Sequence, residues 1–552
     1  MTLEQGKLAQ DIELQRNQGT IHDKNSQEET NAELDAACQD EHANDGDYPH
    51  GMKLAVIVGS LAASVFLVAL DETIITTAIP KITDDFHSIN DIGWYGSAYF
   101  MTFAAFQLIF GKLFSFYPIK YVFLASVAIF EVGSLICATS STSNAFIVGR
   151  AFAGLGSAGI NAGFIIILAS SLPLARRPIF VSSYSGMYGI ASVVAPLLGG
   201  AFTTKMTWRW CFYINLPIGG AAVLAMALFF HPPAGAKKPS TTWQQKLGQV
   251  DLFGTAVLVP GIICLLLALQ WGGSVYKWNT APPITLLSAA GVAGLAFVIV
   301  QVWKQESATV PPRIIKQRSV AFSAFYVFHA GGALNVIQYF IPIWFQAIQG
   351  VTAFDSGSRI LPTTLGTVVF SLVAGIGVAK FGYYTPFMIL GAVFLVTGAT
   401  LITTWQVSSP ATQWIGYQLV FSAGAGLGIQ QSHTAAQTVL ASVDVPVGAV
   451  VMIFAQILGG AMWLSVAQTV LTSQLLKGLV DAVPGIDPKL VLDKGATGFR
   501  ETVRPEYLGD VLKVYNFALT RTIYCGVALA AAALIASMGM EWKSIKRYQA
   551  VS

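Results

Sequence analysis

Fourteen apolar segments, each long enough to cross a bilayer, constrain this chain more than any other feature. They fall at about 53–79, 92–114, 119–139, 146–170, 179–202, 211–230, 251–270, 283–303, 320–345, 358–379, 385–404, 412–432, 446–472 and 521–539. A bilayer core about 30 Å thick needs roughly 20 apolar residues per helical span. Inside it every backbone amide must be satisfied within the segment, which leaves helices as the way to use such runs. The predicted fold is therefore an all-α membrane protein with fourteen transmembrane helices.

Composition agrees. Of 552 residues, 54% are hydrophobic and only 11% charged, and mean hydropathy is +0.59. A soluble domain would carry charge on about a quarter of its residues. The net charge of +3 hides an asymmetry: residues 1–50 hold 12 acids and 3 bases, so that stretch is −9 and the rest is +12. So polar a segment cannot bury a core, and it is expected to be a disordered acidic cytoplasmic tail. The first apolar run starts too late and runs too long for a signal peptide. The five cysteines have neither metal nor disulfide spacing. No phosphate loop, nucleophile triad or metal cluster appears, so no enzyme, cofactor or metal is expected, and nothing points to nucleic acid.

An even number of spans puts both termini on one side. With the N-terminus inside, the short loops and C-tail of that side hold 15 Lys and Arg. The opposite short loops hold 5: Lys81, Lys205, Arg209, Lys277 and Arg359. The positive-inside rule then places both tails in the cytoplasm.

The chain repeats itself. Ala-Gly-Leu-Gly occurs at 153–156 and 425–428, and Leu-Gly-Gly-Ala at 198–201 and 458–461. A Gly-rich end with a basic residue occurs at Gly111-Lys112 and again near Gly377–Lys380. Three matches in one order at similar offsets predict two homologous halves, as in duplicated transporters. The expected organisation is the tail 1–50, a six-helix half 51–232, a linker with two inserted helices 233–305, a second six-helix half 306–540, and a cytoplasmic C-tail 541–552. The second half includes an external loop, 473–520, read as a partly helical cap.

Ionisable groups inside spans are costly and mark substrate, ion or proton pathways. Asp71 and Glu72 interrupt the apolar run Leu67–Ile75. At 1.5 Å per residue, Asp71 lies roughly 25 Å along span 1, and Arg150 of antiparallel span 4 comes to about the same depth. An arginine there favours the ionised acid and protonation frees the arginine, which makes a workable proton switch; a static structural ion pair is the other reading. Glu72, about 100° round the helix, is the second candidate. Glu131 in span 3 is read as a bond to a neighbouring helix ahead of a transport role, and His329 in span 9 as a satisfied interior histidine ahead of a titrating one. Gln107, Asn161 and Gln338 are polar candidates for a cavity wall or for bonds between helices. Tyr99 is a candidate cavity aromatic. Pro196, with Gly199 and Gly200, lets span 5 bend and pack closely.

At these residues the chain resembles the major facilitator superfamily, and within it the fourteen-span drug:proton antiporters. Ala195-Pro196-Leu197-Leu198-Gly199-Gly200 is similar to the antiporter motif of span 5. Leu70-Asp71-Glu72-Thr73-Ile74 with Ala78-Ile79-Pro80 is similar to the span 1 signature. Gly149-Arg150-Ala151-Phe152-Ala153-Gly154-Leu155-Gly156 resembles the span 4 motif whose arginine is tied to proton transfer. The loop Gly111–Lys120, with Lys112, stands where the superfamily has its gating loop, although the acid and inner arginine of that pattern are absent. Three strings resemble fungal toxin efflux pumps: Thr207–Pro217 (TWRWCFYINLP), Leu265–Gly273 (LLLALQWGG) and Ile341–Gln346 (IPIWFQ).

The resemblance implies a major-facilitator fold and proton-coupled efflux, by antiport, of small hydrophobic organic compounds such as a fungal secondary metabolite or drugs. It implies proton coupling by Asp71, Arg150 and Glu72, with small hydrophobic substrate, protons and lipid as partners. The expectation is a monomer in the plasma membrane, with a vacuolar or vesicle membrane as the other location. The alternative is a proton-coupled importer or intracellular transporter of siderophores or amino acids. A transport-dead membrane sensor is the remote one.

Overall fold

The computed structural model describes residues 51–171, 177–230, 252–273, 275–305, 308–440, 444–482, 498–500 and 503–545. The acidic tail, the 233–251 linker and the last residues of the C-tail lie outside them. Among the described residues there are fourteen long helices: α1 Met52–Phe86, α2 Ile92–Phe116, α3 Ile119–Thr139, α4 Ser143–Ser171, α5 Arg177–Lys205, α6 Asn215–Phe229, α7 Leu252–Trp271, α8 Ala281–Lys304, α9 Arg318–Gln349, α10 Leu361–Phe381, α11 Thr385–Ile402, α12 Ala411–Val439, α13 Val445–Ala482 and α14 Pro505–Met538. Twelve are long and apolar enough to cross a membrane. The remaining two, α2 and α12, have 25 and 29 residues and so the length to cross. Short helices at Trp210–Tyr213 and Ala353–Arg359 lead into α6 and α10.

Helices α1–α6 pack on one another, as do α9–α14, and the two groups meet where α2 lies on α13, α1 on α9, and α5 on the Ala353–Arg359 helix. The inserted pair α7–α8 is mutually packed and touches the rest through α2 and α13. Of the residues of α8, only Pro283 and Gln301 are buried. A helix apolar all round with so little protein around it has lipid as its partner.

The repeated glycines do the same work twice. A Cβ at Gly199 would stand 2.7 Å from the carbonyl of Ile74 on α1, and one at Gly459 would stand 2.0 Å from the carbonyl of Phe328 on α9. In each half a glycine of the fifth helix therefore presses on the backbone of the first. Gly154 meets the Tyr99 carbonyl on α2 and Gly426 the Thr367 carbonyl on α10, which repeats the pattern for the fourth and second helices.

The membrane face where the chain enters α1 is here called the tail face, and its opposite the far face. At the tail face Glu541 fastens the end of α14. Its carboxylate accepts from Gln317 Nε2 (2.9 Å) and Ser319 Oγ (2.8 Å) at the start of α9, and its carbonyl from Tyr384 and Thr385 (both 3.0 Å) at the start of α11. The Ser319 hydroxyl, first, and then Gln317 and Lys543 hold this carboxyl below the usual glutamate range. A group depressed in the folded state contributes stability above its unfolded value and loses it as pH falls through the folded one. Glu541→Gln is expected to lower the thermal midpoint slightly at neutral pH and to leave it unchanged in acid, read from melts across that range.

At the far face the halves are closed against each other. Gln346 of α9 donates to the Thr77 carbonyl of α1 (3.2 Å), and Gln468 of α13 to the Ile89 carbonyl (3.1 Å). Tyr339 donates to the Ile92 carbonyl, and the amides of Phe354 and Gly498 to Thr204 Oγ1 (3.1 Å) and Asp84 Oδ1 (3.2 Å). Several helices run on beyond the expected spans to build this region. The supposed loop 473–520 contains the last turns of α13 and the first turns of α14.

Candidate functional site

The site assembles from five helices of the first half. Asp71 stands past the middle of α1, and α4 begins at Ser143, so Arg150 is two turns in from the far face. Arg150 Nη1 lies 2.5 Å from Asp71 Oδ2, with side-chain exposures of 1% and 0%. Arg150 Nε donates to the Tyr95 carbonyl of α2 at 2.9 Å, and its guanidinium lies over the Tyr99 ring at 4.5 Å. A cation is thus held by an anion, a carbonyl dipole and an aromatic face, the combination that a buried arginine requires. Tyr99 is itself fixed by Ser157 of α4 (2.7 Å).

Asn215, the first residue of α6, donates to Asp71 Oδ1 (3.4 Å) and to Ser134 of α3 (3.0 Å). Sequence reasoning assigned Asn215 and Ser134 no role. A polar residue at a helix start reads as a cap, and the one available signal was the place of Asn215 inside the TWRWCFYINLP string. The rest of that string builds the far-face wall. Trp208 is buried against Phe86, Phe146 and Phe212 and donates to Asp85 (2.7 Å), while Arg209 lies over the Trp208 ring and donates to the Ser140 carbonyl (2.9 Å).

The other predicted residues are distributed as follows. Glu72 is half-buried beside the pair, with no bond to Arg150 described. Tyr99 is fully buried beneath Arg150 rather than on an open wall. Gln107 of α2 and Asn161 of α4 are buried, and Gln107 Oε1 and both Asn161 amide atoms have no protein partner. Buried polar atoms in that state are satisfied by water or ligand. Asn161 lies 11 residues from Arg150 along α4, roughly 16 Å toward the tail face. Glu131 of α3 has both carboxylate oxygens buried and unpartnered. His329 bonds its own helix at the Phe325 carbonyl (2.8 Å) and is boxed by Phe325, Phe328 and Trp463, in the other half. Gln338 is half-buried on α9.

Gly199 and Gly200 of α5 are contact points. A Cβ at Gly199 would meet Thr77 and Ile74 of α1, and one at Gly200 would stand 2.5 Å from the Phe354 backbone. The Pro196 carbonyl is covered by Gly357, where a Cβ would come within 2.2 Å. The antiporter-like motif is therefore the seam between the halves at the far face. Of the loop residues, Gly111 and Lys112 lie in α2, and the Lys112 side chain is outside the described part. Lys120 Nζ donates to the Ala227 carbonyl of α6 (2.6 Å), pinning α3 to α6.

Two six-helix groups of long apolar helices, closed on one face and carrying a buried ion pair, define a polytopic membrane transporter. The chain belongs to the Major Facilitator Superfamily, whose family model matches residues 61–467. It is 52% identical to the MFS-type efflux pump MFS1 of Trichophyton rubrum, over 90% of this chain and 92% of that one. It is 45% identical to the rubrofusarin-specific efflux pump aurT of Gibberella zeae, over 91% and 92%. With the efflux pump aflT of Aspergillus parasiticus it shares 44% identity, over 92% and 99%. Among solved structures it is similar to a bacterial homologue of the human lysosomal transporter Spinster in an inward-facing, unoccupied conformation. There the TM-score is 0.61 and identity 14%, covering 90% of this chain and 100% of that one. A D-xylose–proton symporter gives a TM-score of 0.57 at 12% identity, over 87% and 97%. These two likenesses concern the fold.

Proposed function

We propose that the protein exports small, largely apolar organic molecules of the fungal secondary-metabolite kind in exchange for protons. In this reading all fourteen long helices span the plasma membrane, the tail face is cytoplasmic and the protein works as a monomer. Efflux is supported by the names of relatives aligned over nearly the whole chain. Proton coupling rests on one observation, the fully buried Asp71–Arg150 pair.

That pair is joined to the far-face closure by short stretches of backbone. Arg150 holds the Tyr95 carbonyl; the next residue, Gly96, packs under Tyr339 and Leu464 of the second half, and Tyr339 bonds Ile92 one turn earlier. On the acid's side, Thr77 lies six residues along α1 from Asp71 and accepts from Gln346. A proton on Asp71 removes the counterion of Arg150, so the arginine is free to shift and α2 with it. The protonation state of Asp71 is thereby tied to the far-face contacts, and exchange follows when the proton is taken up from the far side in the open form as substrate leaves. A proton that binds one form better than the other shifts the equilibrium by that difference in affinity.

The test is Asp71→Asn in proteoliposomes loaded with a fluorescent polycyclic aromatic compound. The variant is expected to insert and fold, yet to show no transport driven by an imposed pH gradient. Full gradient-driven export by the variant would sink proton coupling through Asp71. Substrate moving with its proton rather than against it would favour an importer.

A further inference from the structure

The carboxyl of Glu131 is a buried titratable group that this mechanism leaves unused. It sits near the middle of α3, its two oxygens enclosed and without a hydrogen-bond partner. The enclosure is made on one side by α6: a Cβ at Gly219 would fall 1.6 Å from Glu131 Oε1, so any side chain there would displace the carboxyl from this position. One turn nearer the far face on each helix, Ser134 of α3 and Asn215 of α6 are bonded, and Asn215 reaches Asp71. Glu131 and Asp71 therefore share one seam, with Asn215 between them.

The groups around this seam supply no cation to Glu131. From α1 the facing group is Asp71 and from α4 Arg150, already engaged by Asp71. α2 contributes Tyr99, tied to Ser157, and the Trp210–Tyr213 turn contributes Cys211. Along α3 itself stand Cys137 and Lys120; the latter is 11 residues away, roughly 16 Å, and bonded to Ala227. α6 has no ionisable residue. An ionised carboxylate at mid-membrane depth with no donor or cation forfeits its hydration for nothing, whereas a carboxylic acid does not.

We propose that Glu131 is a second proton-binding carboxyl of the transporter, loaded in this far-face-closed form and emptied when α6 moves off α3. On that movement water enters the seam and takes the proton, leaving a hydrated carboxylate; re-closure requires the proton back. The role of Glu131 in transport rests on the proton-coupled reading above, but its proton in this conformation does not.

Two measurements test it on the full chain, with Glu131→Gln as a variant of the same shape. In infrared spectra at neutral pH, wild type is expected to show a protonated-carboxyl band, shifted in heavy water, that Glu131→Gln lacks and Asp71→Asn retains. Absence of that difference overturns the proposal, whatever the transport results. In proteoliposomes, the proton count from the gradient that just stops net flux is expected to fall by about one proton per substrate in Glu131→Gln. An unchanged count overturns a transport role for Glu131. It leaves coupling through Asp71 standing, because that reading is tested separately by the export of Asp71→Asn.

Discussion

Replacing Arg150 alone with methionine is expected to destabilise the protein by about 3–5 kcal/mol, the usual cost of stranding one member of a buried ion pair. The loss is specific to the anion left behind. Asp71 is fully buried, and without Arg150 it keeps only the long bond from Asn215. Asp71→Asn should be milder, because the new amide oxygen still accepts from Arg150. The arginine also keeps the Tyr95 carbonyl and the Tyr99 face. The double variant Asp71→Leu/Arg150→Met removes both charges together. It should recover most of the lost stability, since apolar replacements of buried ion pairs are often neutral or better. It should not recover export. Thermal melts of detergent-purified protein, followed by size-exclusion recovery, read the first result, and gradient-driven flux the second. An Arg150→Met protein that melts like wild type would show that Asp71 is not ionised in the folded state. A double variant that exports would remove the pair from the coupling mechanism.

The same contrast explains what was legible in the sequence. The helices were legible because bilayer-length apolar runs leave backbone no other structure. Their far ends were not. The last turns of α13, with Gln474 and Lys477, and the first turns of α14, with Asp510 and Lys513, carry polar residues that break the apolar signal while the helix continues into the far-face region. The Asp71–Arg150 pairing was legible because it needs only two helix ends and a rise per residue. Asn215 was not, because its meaning lies in contacts 81 and 144 residues away in sequence. Tyr99 looked like a cavity wall because an aromatic on an apolar helix carries no mark of direction. The state of Glu131 is an absence of donors, and an absence is a tertiary fact. The three strings that resemble those of fungal efflux pumps carry no physical role in the sequence alone. In the structure all three meet at the far face: Trp208 on Asp85, Gln270 on Ser97 (3.2 Å), and Gln346 on Thr77.

If that face is the gate, a single added side chain at its seam should hold it open. Gly357→Val is expected to reduce export more than tenfold while leaving the protein folded. A Cβ at Gly357 would stand 2.2 Å from the Pro196 carbonyl oxygen and 2.9 Å from its carbon. These are backbone atoms of a helix packed on α1, so they cannot swing aside as a side-chain tip would. Each half has its own helix packing, and the clash falls between the halves; separating them relieves it without unfolding either one. A clash of about 3 kcal/mol, the upper end for an overpacked buried site, moves a two-state equilibrium by roughly a hundredfold. That is enough to make the far-face-open form dominant unless closure is favoured by more than this. The readout is Thr77→Cys, a fully buried position whose carbonyl receives Gln346. In the Gly357→Val background this cysteine is expected to react with a membrane-impermeant maleimide, and in the wild-type background to stay shielded. The distinction from simple damage lies in the thermal midpoint, which should stay near that of wild type because the open form avoids the clash. Continued shielding of the cysteine, or export at the wild-type rate, would mean that the Pro196–Gly357 seam does not control access to the far face.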